Sequence, residues 1–187
     1  MAALIGHLEN YLGDIDSVWQ DSPDGAKLPF TVARFGLVFD ERRAYATIGL
    51  SRIPLQSVES KKLIRQEFLL LAPDDFGDRN IPGVLQDAAS LILKRGAPAL
   101  RGEVIEGPHK MFDGYSFTSL YVAIPVYLPE EFAEATDDEK NPVVIAWLVP
   151  ITTPEAEYVK QHGWSKFEDL LVEQDPDLAD FDRRPLL

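Results

Sequence analysis

A histidine acting as a general base or metal ligand needs a partner at a defined spacing. The three histidines of this chain, His7, His109 and His162, stand far apart, and no His-Glu-x-x-His helix signature occurs. Each reads as a structural or surface residue. His109 has the most functional setting, in the glycine- and proline-flanked loop Gly107 to Gly114, because rigid scaffolds present binding residues on such loops. Gly49-Leu50-Ser51 offers a serine after a glycine, but a nucleophile elbow needs a second glycine where Ile53 stands. Neither a Gly-x-Gly-x-x-Gly run nor a P-loop is present to cradle phosphate. Cysteine is absent, which removes disulfides, thiolate nucleophiles and cysteine-held metals.

Carboxylates are plentiful: Asp74 and Asp75, Glu130 and Glu131, Asp137 to Glu139, and the tail series Asp175, Asp177, Asp180 and Asp182. General acid-base work requires two carboxyl groups facing each other across a cleft, whereas sequence neighbours on polar segments face water. The alternate spacing of the tail series suits a hard cation, but a calcium loop also needs a glycine at its sharp turn and a closing bidentate glutamate. This segment has Leu178, Ala179 and Phe181 instead. The chain is therefore expected to hold no metal and no cofactor, and not to be an enzyme.

What remains is binding. With 18 Lys plus Arg against 31 Asp plus Glu, the formal charge is -13. Such a surface repels nucleic-acid phosphates and anionic lipid and attracts cationic proteins, although acidity also serves solubility. The densest exposed acids are Asp137, Asp138 and Glu139 before the last strand, and Asp175, Asp177 and Asp180 after the last helix. These are the expected contacts for a basic protein partner. Trp19 and Trp164, at the edge of a polar loop and at a helix entry, are candidate apolar anchors, with a core role as the alternative; Trp147, inside an apolar strand, reads as core. Met1 to Gly13 lacks the basic lead and apolar run of a signal peptide or membrane span, so a cytoplasmic location is expected.

The elements that position these residues follow from periodicity. Leu4, Ile5, Leu8, Tyr11 and Leu12 predict an opening helix over Ala2 to Leu12, stopped at Gly13. Asp14 to Pro29 reads as an exposed loop. Phe30 to Phe39 and Ala44 to Leu50 read as a hairpin about a charged turn from Asp40 to Arg43. Val58 to Arg65 is of uncertain type, and Glu67 to Ala72 is a strand ended by Pro73. Asn80 and Pro82 open a buried helix that Gly96 closes. Strands follow at Arg101 to Ile105, at Thr118 to Leu128 with Pro125 within it, and at Pro142 to Ile151. Pro129 to Glu134 reads as a short acidic helix and Thr136 to Asn141 as a charged loop. Thr153-Pro154-Glu155 opens a helix that Gly163 breaks, and Ser165 with Glu168 predicts a capping box for a final helix through Glu173. Strands and helices do not alternate regularly, so the pattern is α+β, a mostly antiparallel sheet with flanking helices. Nothing breaks the composition, and residues 1–187 are expected to form a single domain.

Several short pieces occur in a telling order. They are Tyr11-Leu12-Gly13, Thr47-Ile48-Gly49-Leu50-Ser51 followed by Pro54, the strand Glu67 to Pro73, and Pro82 with its helix. Tyr127-Leu128-Pro129, Val149-Pro150-Ile151 before a glutamate-containing helix start, and the closing Asp182-Arg183 complete the series. Together they span nearly the whole chain and resemble the suppressor-of-fused domain family. Two departures, Leu50 where many relatives carry methionine and Phe68 directly after Glu67, are apolar exchanges that leave the pattern intact. The resemblance implies one α+β domain without catalytic residues that binds protein partners; in animals such a domain restrains a transcription factor. Stand-alone bacterial members look like immunity proteins that neutralise toxins of polymorphic or contact-dependent systems. A regulatory or scaffold protein without a toxin, and a hydrolase using clustered carboxylates, are the alternative readings.

Overall fold

The structure, a computed structural model, describes residues 1–22, 25–39, 41–107 and 111–187. His109 and Asp40 lie outside the described residues. In chain order the elements are α1 (Ala2–Leu12), β1 (Ile15–Asp21), β2 (Lys27–Phe39), β3 (Arg42–Ile48), β4 (Leu55–Gln56), β5 (Leu63–Ile64) and β6 (Gln66–Pro73). There follow α2 (Ile81–Arg95), β7 (Val104–Glu106), β8 (Phe117–Ala123), β9 (Glu134–Thr136), β10 (Pro142–Thr152), α3 (Thr153–His162) and α4 (Trp164–Gln174).

Eight strands form one sheet in the order β1-β2-β3-β6-β10-β8-β7, with β9 also paired to β10. Only the β6 to β10 pairing is parallel; every other neighbour is antiparallel. Helices cover both faces. Along β6, Phe68, Leu70 and Ala72 point to the α2 side, with Leu85, Ala89 and Ile92 of that helix, while Leu69 and Leu71 point to the side of α1, α3 and α4. Strand β10 repeats the division, with Leu148 toward α2 and Ile145, Trp147, Val149 and Ile151 toward the other helices. Burial on both faces is why these two strands read as unbroken apolar runs and not as alternating ones. The architecture is α+β with a mostly antiparallel sheet, as the sequence pattern predicts. Among the described residues no helix is long and apolar enough to cross a membrane.

Four local expectations need correction. The segment expected as a loop from Asp14 to Pro29 contains β1, an edge strand whose polar residues face solvent or engage neighbours; Asp16 accepts hydrogen bonds from Arg34 at 2.7 Å and Arg43 at 3.0 Å. The strand expected to reach Leu128 stops at Ala123, because Pro125 enters a turn in which the Leu128 amide donates to the Pro125 carbonyl. Strand β7 starts at Val104, not Arg101, since Gly102 takes φ 87° and Arg101 stands in a turn. The expected Ser165 and Glu168 capping box does not form: the N-cap of α4 is Gly163, two residues earlier, and Glu168 is held by Arg101 and Tyr121. A capping box does form on α3, where Thr152 and Glu155 exchange bonds.

Candidate partner-binding groove

The pieces that carry the family resemblance meet in space as structural knots. The fully buried Glu67 carboxylate accepts from the Gly49, Leu50 and Ser51 amides and from the Thr47 and Ser51 hydroxyls, at 2.6–3.2 Å. Burial pushes its carboxyl above the usual carboxylate range, and these donors oppose the push. The fully buried Glu155 accepts from Thr152, from the Leu186 amide and from both terminal nitrogens of Arg183, at 2.7 and 3.0 Å. Burial would raise this carboxyl, but the Arg183 hydrogen bonds and charge outweigh it and hold it below the usual range. Arg183 thus fastens the tail to Glu155. Both carboxylates are committed to holding the chain together.

The acids expected as partner contacts occupy separate places. Asp137 accepts from the Glu139 and Asn141 amides and the Asn141 side chain, each at 2.9 Å, so it closes its own loop. Asp138 accepts from the Ala3 amide at 2.8 Å and from the Met1 amino group, at the start of α1. Glu139 is exposed beside them. In the tail, Asp177 binds Arg42 at 2.6 Å and the Ala179 amide, and Asp180 accepts from the Asp182 amide. Asp175 ends α4 in the left-handed conformation with its side chain exposed. Trp19 stands half-buried on β1, packed against the α2-side core near Tyr45. Trp164 is 45% exposed at the start of α4, beneath the Arg101 guanidinium.

Of these residues, only Asp175 lines an apolar groove, while Trp164 stands against Arg101, which also lines it. The groove, of about 370 Å3, runs between α4 and the chain leaving β8. Its apolar walls include Ile124, Val126, Leu171 and Val172, with Tyr127 and Trp147 behind them. Val172 is 83% and Val126 68% exposed, which is high for such side chains on a structured surface. One end is fixed by Glu168, which accepts from Arg101 at 3.0 and 2.5 Å and from the Tyr121 hydroxyl at 3.0 Å. At the other end the Tyr127 hydroxyl donates to the Pro176 carbonyl and accepts from the Leu178 amide. Burial raises the Tyr121 and Tyr127 hydroxyls above their ordinary value, so both stay protonated as donors. Trp164 packs closely against Gly102: a Cβ there would sit 2.4 Å from its Cγ, and Gly102 has φ 87°, so only glycine fits.

Sequence reasoning missed Ile124, Val126 and Val172. The first two fall where a continuing strand was expected, and Val172 lies next to the buried stripe of α4; an apolar residue off the stripe was the available signal. A second hollow, of about 660 Å3 beside α2, is lined by Gly107 next to residues outside the described set.

Among the described residues no three His, Asp or Glu side chains gather as a metal site. Treatment with EDTA should therefore leave the melting temperature unchanged, and a fall of many degrees in a calorimetric scan would overturn the no-metal expectation.

The family model for suppressor of fused protein (SUFU) matches residues 28–184. Among solved structures, a putative SUFU homolog from Neisseria gonorrhoeae FA 1090 superposes with a TM-score of 0.78 at 21% identity, covering 100% of this chain and 96% of its own. A chain of the Sufu-Fu complex gives a TM-score of 0.71 at 14% identity, covering 99% and 91%. Drosophila Suppressor of Fused gives 0.68 at 14% identity over 99% of this chain and 50% of its own. No curated protein sequence matches the chain significantly. The family match spans the hairpin, both central strands and the Arg183 tail lock, and the chain belongs to the suppressor of fused family.

Proposed function

We propose that residues 1–187 form one non-catalytic protein-binding domain, acting in the cytoplasm as an immunity protein that neutralises a basic toxin domain of a polymorphic or contact-dependent system. The observation that carries this reading is the exposed apolar groove beside α4 on a chain of formal charge -13. Apolar surface supplies affinity, and the field of the acids accelerates encounter with a cationic partner. A relative of this fold is held in a Sufu-Fu complex, which supports protein capture as the mode of action. Hydrolysis has less support: Asp74 is tied to Arg43, Asp137 to its own loop, and Asp177 to Arg42.

The test starts with affinity purification from the native cell and recovery of a stoichiometric partner, which is then expressed alone in a host. Growth arrest that co-expression of this chain relieves is the expected result. A partner without effect on growth would overturn the toxin reading in favour of a regulatory or scaffold role.

A further inference from the structure

The segment Trp164 to Asp180 holds six acidic side chains against the single Lys166. Lys166 lies 3.5 Å from Asp169, Arg101 holds Glu168, and Arg42 holds Asp177. Asp175, which lines the groove, and Glu173, next to Val172 in the chain, have no ion-pair partner among the described residues. The groove therefore has an apolar floor with uncompensated negative charge at one rim. A second feature lies in the wall itself. Trp147, fully buried in the groove wall, carries an indole N–H without a hydrogen-bond partner among the described residues. Buried donors are nearly always satisfied, and the ring packed on it, Tyr127 at 4.9 Å, uses its hydroxyl on the tail.

Resting on the protein-capture reading above, we propose that this groove docks a cationic segment of the partner protein. The segment lays aliphatic side chains between Val126 and Val172, sets Lys or Arg beside Glu173 and Asp175, and covers the wall behind which Trp147 is buried. Anionic lipid and nucleic acid are excluded as occupants by the sign of the rim. A second copy of this chain is the competing occupant, because Arg52, Lys61, Lys62 and Arg65 surround the exposed Ile53, Val58 and Leu63 on the β4-β5 hairpin.

The probe is a fluorescein-labelled amphipathic lysine-leucine peptide of about 14 residues, with lysine-serine and glutamate-leucine peptides of equal length as controls. Anisotropy should show the lysine-leucine peptide binding wild type at least about tenfold more tightly than either control. Val126→Ser with Val172→Ser, and separately Glu173→Gln with Asp175→Asn, should each weaken it by about tenfold, while Asp113→Asn, exposed and outside the groove lining, has no effect. All substituted positions are exposed, so melting temperatures should stay near wild type. In 1H-15N spectra the Trp147 indole resonance, assigned with Trp19→Phe and Trp164→Phe, should shift on binding. Equal affinity of the groove variants, or a stationary Trp147 resonance, would overturn the proposal. Concentration-dependent self-association in sedimentation that the serine variants abolish would also overturn it, by assigning the groove to a second copy. A cellular partner that bound the serine variant with wild-type affinity would remove the groove and leave protein capture standing.

Discussion

Arg183→Met should lower the free energy of unfolding by about 3–5 kcal/mol, the range for stripping one partner from a buried ion pair. The Arg183 side chain is 4% exposed and Glu155 0%, so the abandoned carboxylate has no route to water. Arg183 also donates to the Pro150 carbonyl at 3.2 Å and lies over the Phe117 ring at 5.5 Å, which ties the last residues to β8 and β10. A double variant, Arg183→Met with Glu155→Gln, should recover much of the loss, since replacing both members removes the uncompensated charge. The pH dependence gives an independent check. In wild type the Glu155 carboxyl is held below its unfolded value, so its stabilisation is present above roughly pH 4.3 and lost as pH falls through the lower folded value. Without Arg183, burial raises the same carboxyl, and its penalty is relieved by protonation as pH falls. The stability gap between wild type and Arg183→Met should therefore narrow on acidification. Chemical denaturation at pH 7 and near pH 4 measures it, and a gap independent of pH would show that the pair is not the source of the loss.

Leu85→Asp should cost on the order of 4 kcal/mol or more, because it removes a core side chain and places an unpaired carboxylate in its space. Leu85 is 0% exposed in the centre of α2, where it joins Phe68, Leu70 and Leu148 in one cluster. A domain of this size has roughly 5–15 kcal/mol in total, so the variant should be largely unfolded or melt far below wild type. Leu91→Asp on the same helix is the control: Leu91 is 46% exposed, and its replacement should fall within about 1 kcal/mol of wild type. Equal melting temperatures for Leu85→Asp and wild type would show that α2 does not seal this face of the sheet.

Local signals determined much of this protein. The opening helix up to Gly13, the α2 span from Asn80 to Gly96, the hairpin pair and the two central strands all follow from apolar periodicity and from residues that start or stop an element within a few positions. Composition alone excluded thiol chemistry and set the sign of the surface field. The sequence could not reveal β1, because the polar side chains of an edge strand look like a loop until Arg34 and Arg43 are seen reaching Asp16. It could not pair Glu155 with Arg183, or Glu67 with the Gly49 turn, since contacts across 28 and 18 positions leave no periodic trace. The same limit hid the groove. Its walls come from Arg101, the end of β8, Trp147 and the face of α4, and periodicity records which side of an element is apolar without recording what that side meets. Asp137 and Asp138 show the converse: their charge is legible in the sequence, but only the fold turns one into a loop closure and the other into the anchor of α1.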